Sequence, residues 1–268
     1  MTTEPPSDLG PRPLWDPGAI PAATIIPLRE GTSGLEVLML RRDTKLRFAA
    51  GSWVFPGGRI DDDDFPTAPA AGTPTDDELE AAARVAVSRE LAEEAGITID
   101  PSSIRRWSQW TPPPHSDQTA ELVRHRFTTA FFVGVAVGDT DAVEIDHGEI
   151  REYRWVSASE MLQLHSRGDV ALVPPTFITL THLAPLRNAS EVLRGAPGAD
   201  DGPAAIEHFS TRVGTTERGG WAALYHGDVA YEGGDMHAAG DATGCGWTSS
   251  LGATNVSRTP EPTAREHQ

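Results

Sequence analysis

The sequence predicts an α/β fold, a mixed sheet covered by helices on both faces, on the strength of three observations. "RHRFTTAFFVGVAV" (124–137) is a nearly continuous β-branched and aromatic run, the pattern of a strand buried on both sides. "DDELEAAARVAVSRELAEEAG" (76–96) reads as one long helix, acidic in its first turn and ended by Gly96. Along the chain come strands, a helix, strands and then helices, rather than a regular βαβ array.

Each element has a local reason. Residues 1–18, "MTTEPPSDLGPRPLWDPG", are Pro-rich and aperiodic and read as a disordered leader. "AATIIPL" (22–28) and "GLEVLMLRR" (34–42) read as two strands joined by a turn-rich link, and "GSWVFPGGRI" (51–60) as a short strand entering a Gly-Gly loop. An acidic, Pro/Ala-rich insert over about 61–76 has no pattern that would fold alone. "RRWSQW" (105–110) and "EYRWV" (152–156) are further short strands. "SASEMLQLHSRG" (157–168) is a helix with a Ser cap, and "VPPTFITLTHLAPL" (173–186) a helix with Pro at its start. The folded domain is thus expected over 19–194, a linker with a hairpin turning at His226–Asp228 over 195–235, and a disordered tail over 236–268.

Composition excludes several classes of function. With 268 residues and 38% hydrophobic content the chain can bury one sizeable core. A net charge of −17 argues against duplex nucleic acid as partner but permits small phosphorylated molecules approached through a bound cation. The single Cys245 excludes an intramolecular disulfide and a cysteine cluster. No apolar stretch is long enough for a membrane helix, and no signal peptide is recognisable, so a cytoplasmic protein is expected.

One short stretch carries the chemistry. "SRELAEEAGI" (88–97) places Glu90, Glu93 and Glu94 within five positions at a helix C-terminus, where like charges and the macrodipole both oppose them. At about 100° per residue the three fall on the arc of Ala83, Ala86 and Val87, opposite Arg84, Ser88 and Ala92. The carboxylates therefore extend the packing face rather than the solvated back. Carboxylates at such a rim either share protons or bind a hard cation, and oxygen donors suit Mg²⁺ or Mn²⁺.

"RELAEEAGI" (89–97) resembles the second half of the Nudix box, G-x5-E-x7-R-E-U-x-E-E-x-G-U with U a bulky aliphatic residue, and "FPGGRI" (55–60) resembles the loop that opens it, with Gly58 as the first glycine. The resemblance covers roughly residues 20 to 190 and implies a Nudix-type α/β/α sandwich. It also implies metal-dependent hydrolysis of a nucleoside diphosphate linked to another group. By resemblance, Glu90 and Glu94 are the principal metal ligands and Glu93 a further ligand or holder of metal-bound water. The Gly58 carbonyl completes the shell, and Arg89 orients the glutamates. Glu149 is the candidate general base, with Glu152 and Glu144 as competitors.

The box departs from the pattern in two ways. Arg89 lies 31 positions after Gly58 where the pattern has 14, and the eighth position before Arg89 holds Ala81 where a Glu is expected. Such a split box resembles the branch that includes acyl-coenzyme A diphosphatases of peroxisomal type. Downstream, "RFTTAFF", "EIREYRWVSASEML" and "ALVPPTFITLTHLA" fit that branch too, making coenzyme A or an acyl derivative a candidate substrate. The closing "REHQ" differs from its Ser-Lys-Leu address.

Several other residues have plainer readings. Asp61–Asp64 read as a solvated loop, since four consecutive carboxylates do not converge on one ion without a special turn. Trp53, Phe55, Phe131 and Phe132 read as core, and His115 as an exposed loop residue. Two other functions compete with hydrolysis. Ala81 alone favours a nucleotide-binding module without catalysis, and the C-terminal hairpin is a candidate interaction or homodimerisation element.

Overall fold

The computed structural model describes residues 15–46, 49–68, 73–113, 126–199, 202–203 and 205–215, with the short stretches 221–224, 247–250 and 253–256. Side chains are described as far as Thr211. The residues that build the frame are β1 (Ile20–Gly31), β2 (Gly34–Arg42), β3 (Trp53–Val54), β4 (Gly57–Arg59), α1 (Asp76–Ala95), β5 (Thr98–Ile99), β6 (Arg105–Thr111), β7 (Phe127–Val137), β8 (Ile150–Val156), α2 (Ala158–Ser166), α3 (Pro174–Leu183) and α4 (Ala189–Gly195).

The main sheet runs β3-β2-β1-β7-β6, with β4 paired to β1, β5 to β7 and β8 to β2. β1 and β7 are parallel at its centre, and most other pairs are antiparallel. That central pair explains the continuous apolar runs. In β1 Ile25 faces α1 while Ile26 faces the other helices; Leu38 and Met39 divide the same way in β2, as do Phe132 and Phe131 in β7. One core lies between the sheet and α1, with Ala82, Ala83, Ala86, Val87 and Leu91 buried. The other lies under α2, α3 and α4, around Met161, Leu180, Leu183 and Val192. This is the expected α/β/α sandwich. Trp53, Phe55, Phe131 and Phe132 are core residues, each at most 5% exposed.

The ends depart from expectation. Trp15, in the stretch expected as leader, is buried against the α1 core with the Arg106 guanidinium 5.4 Å from its ring, and Asp16 pairs with Arg126. Residues 1–14 lie outside the described residues. α4 was not expected, although Asn188 caps it by accepting from the Glu191 N–H at 2.9 Å. β9 (Glu207–Ser210) joins the main sheet parallel to β6, with Phe209 stacked on Trp110 at 4.0 Å. Nothing local in the sequence marks it, because its partner lies about a hundred residues away and the four residues mix polar and apolar side chains. β10 (Arg212–Thr215) pairs with β11 (Trp221–Leu224), so Trp221–Leu224 pairs backward along the chain. The expected turn at His226–Asp228 lies outside the described residues. Within the expected tail, β12 (Trp247–Ser250) pairs with β13 (Ala253–Val256). Cys245, His237 and His115 are also outside the described residues. Among those described, no helix is long and apolar enough to cross a membrane.

Candidate functional site

α1 is fixed at both ends by its own sequence. Thr75 and Glu78 form a reciprocal capping box, the Glu78 N–H donating to Thr75 Oγ1 at 3.2 Å and the Thr75 N–H to Glu78 Oε2 at 2.8 Å. Gly96 closes the helix in the left-handed region, φ 66°, as a glycine does without strain. The following loop caps the exposed carbonyls: the Glu144 N–H donates to the Ala95 oxygen at 3.0 Å and the Asp146 N–H to the Glu94 oxygen at 3.2 Å. The same loop leads into Glu149 at the start of β8.

The last two turns of α1 lie against β4. The Gly57 N–H donates to Glu94 Oε2 at 3.0 Å. Gly58 faces Glu90, and a Cβ added there would collide with its carboxylate. The ladder bonds Ile25 N–H to Pro56 O and Ile60 N–H to Pro21 O set the alternation between β1 and β4. By that alternation Gly58 belongs to a hydrogen-bonded pair with Ala23. Gly57 is the residue of β4 turned away from β1, and its N–H reaches Glu94. The Gly58 carbonyl, a candidate ligand by resemblance, belongs on this register to the pair with Ala23. Gly58 instead gives Glu90 room.

These two glycines should fail differently. A Cβ at Gly57, whose φ is 158°, would strike the Ala23 carbonyl oxygen and Thr24 Cα, so Gly57→Ala is expected to destabilise by about 2 kcal/mol, read as a lowered melting temperature. Gly58→Ala meets only the end of a flexible side chain, so it should melt near wild type while displacing Glu90 and lowering turnover.

Arg89 organises the cluster. Its Nε and Nη2 donate to the two carboxylate oxygens of Asp64 at 2.9 and 2.8 Å, and its Nη1 to Glu90 at 2.9 Å and Glu93 at 3.1 Å. Asp64 was expected in a solvated run, but its side chain is 2% exposed. The turn Asp62–Asp64 folds back so that Asp64 also accepts from the Asp61 N–H at 2.9 Å. Burial raises the Asp64 carboxyl, but the Arg89 bonds outweigh it and hold it below the usual range. Counting back from Arg89 had placed the gap at Ala81; six positions forward from Gly58 lands on Asp64, so the insert falls after the acidic position, not before it. The count from the glycine was the signal in the sequence. Glu80, beside Ala81, pairs instead with Arg84 and Arg106.

Burial pushes Glu94 up to about 8, with the neighbouring Glu90 charge adding to the shift. Burial also raises Glu90, against the pull of Arg89. Among the described residues no three Asp, Glu, His or Cys side chains form a ready-made cage; Glu93, expected on the packing face with the other two, is 60% exposed and paired with Arg89 at the edge of that face. Glu90 and Glu94 do fit a hard divalent ion: they are two adjacent oxygen donors that burial disfavours as charges, and among the described residues Glu94 has no ion-pair partner within 4 Å. Without metal, a carboxyl raised in the folded state favours the fold below its unfolded value. Stability should therefore fall as pH rises from 4.5 toward 8. Melting temperatures measured in a chelator across that range check this, and a rise with pH would refute it.

The remaining candidates separate cleanly. Glu149 lies within electrostatic reach of Glu94 and accepts from Arg42 Nη2 at 3.0 Å. Glu152 is held by Arg154 and Arg41, which outweigh its burial and keep it below the usual carboxylate range. Glu144 serves through its backbone at the helix end.

A family model described as "NUDIX domain" matches residues 19–174, more than half of the chain. The chain belongs to the Nudix family. "Putative nudix hydrolase 7" of Caenorhabditis elegans is 26% identical over 187 residues, covering 57% of either chain. "Acyl-coenzyme A diphosphatase NUDT19" of Xenopus laevis is 23% identical over 242 residues, covering 59% of this chain and 63% of that one. The Nudix chain thus spans about six-tenths of the length of these curated relatives. The crystal structure of a NUDIX hydrolase from Alicyclobacillus acidocaldarius superposes with TM-score 0.53 at 24% identity over 70% of this chain and 97% of its own, a likeness of fold. The Nudix box is consequently split but complete in charge, Asp64 standing where the pattern has its first Glu.

Proposed function

We propose that this Nudix chain hydrolyses the diphosphate linkage of a nucleoside-diphosphate-X substrate with Mg²⁺ or Mn²⁺, and that coenzyme A or an acyl-coenzyme A is the first substrate to test. The observation that carries the reading is the Glu90–Glu94 pair beside Gly57, two neighbouring carboxyls that burial pushes up. A bound divalent ion would neutralise diphosphate charge and acidify water. Glu90 and Glu94 would hold it, and the Gly57 N–H keeps Glu94 oriented. Arg89, tied to Asp64, Glu90 and Glu93, sets the direction of the carboxylates rather than meeting substrate. In the reaction a water oxygen bonds to one phosphorus, and the bridging bond breaks with its electron pair on the departing phosphate. Glu149 takes the water's proton. The coenzyme A preference is supported by the split box and by the similarity to the frog diphosphatase.

The test is incubation with coenzyme A, an acyl-coenzyme A, ADP-ribose, NADH and diadenosine polyphosphates, with either metal or with chelator. Metal-dependent cleavage at the diphosphate is expected. No product from any substrate would refute the reading, and product from ADP-ribose alone would refute the coenzyme A preference.

A further inference from the structure

The junction of β2 and β8 carries a β-bulge beside the site. Arg41 opposes Glu152 and Arg42 opposes Ile150, so Arg151 has no partner across the ladder. A bulge re-aims the side chains around it. Here two crossed ion pairs result: Arg42 Nη2 donates to Glu149 Oε2 at 3.0 Å, and Arg151 donates to Asp43. The Asp43 N–H also donates to the Glu149 carbonyl at 2.8 Å.

The Arg42 side chain is 17% exposed, and among the described residues its Nε has no protein hydrogen-bond partner. Arg42 is not needed as a latch, since the ladder and the Asp43–Arg151 pair already join these strands. Arg42 Nη2 holds Glu149, and the loop that carries Glu149 is bonded to the end of α1, the Asp146 N–H donating to the Glu94 backbone oxygen at 3.2 Å and the Ile150 N–H to the Asp146 oxygen at 2.9 Å.

We propose that Arg42 is a positioning residue, holding the Glu149 carboxylate beside the Glu90–Glu94 pair so that it meets the attacking water. This rests on the hydrolytic reading above. Arg42→Gln and Glu149→Gln should each lower kcat by roughly 10- to 100-fold, with KM little changed. The double variant should be no slower than Glu149→Gln, because one residue acts through the other. Arg42→Lys should recover part of the loss, the contact being through a single nitrogen, and serves in place of Arg42→Gln if that variant does not fold. Mn²⁺ should bind Arg42→Gln with wild-type stoichiometry. Multiplicative losses, a defect confined to KM, or lost Mn²⁺ binding would each overturn the role while leaving the hydrolytic reading intact. A wild type inactive on every diphosphate would overturn both.

Discussion

Glu94→Gln is expected to lower kcat by roughly 10³-fold, about 4 kcal/mol of transition-state stabilisation, while the metal-free protein becomes more stable above neutral pH. Glutamine keeps the oxygen that accepts from Gly57 and nearly the same volume, so the β4 contact survives. It removes the charge that burial disfavours, which is why Glu94 is pushed up to about 8. Activity and melting temperature should therefore move in opposite directions. Steady-state kinetics and thermal melting in chelator read the two arms. A variant both slower and less stable would mean that Glu94 is a structural residue.

Asp64→Ala is the second large effect. The carboxylate is buried, and its removal takes two bonds from Arg89 and one from the Asp61 N–H. Breaking a buried pair costs about 3–5 kcal/mol. The low end, about 3 kcal/mol, is expected because Arg89 keeps 27% exposure and its bonds to Glu90 and Glu93. A fall of about 6–12 °C in melting temperature follows for a domain of this size. Released from Asp64, Arg89 would also pull harder on Glu90, so kcat should fall beyond any loss of folded protein. A melting temperature within a degree of wild type would show that Asp64 anchors nothing.

The frame was legible because its signals are local. The run from Phe127 to Val137, the apolar runs of β1 and β2, and the cap residues Ser157 and Gly96 each act over a few residues. The ligand half of the site was legible for the same reason: Arg89, Glu90, Glu93 and Glu94 share two helical turns. What escaped depends on distance in sequence. Asp64 is 25 residues from Arg89 across an insert, and nothing in "DDDD" distinguishes the one carboxylate that turns inward. Arg42 meets Glu149 across 107 residues through a bulge. Gly57 and Gly58 are equivalent in sequence, and only the pairing of β4 with β1 assigns one to Glu94 and the other to Glu90. Asp64 also removes the support that Ala81 lent to a module without catalysis, because the charge on Arg89 is met after all.

Whether Glu90 and Glu94 form the metal site is tested most directly by titration of Mn²⁺ at neutral pH, followed by calorimetry in buffers of different ionisation enthalpy. Binding with net proton release is predicted, since Glu94 must ionise from a state raised to about 8, and the release should vanish in Glu94→Gln together with most of the affinity. Mn²⁺ bound equally well by Glu94→Gln, or bound by wild type with no proton released, would contradict it.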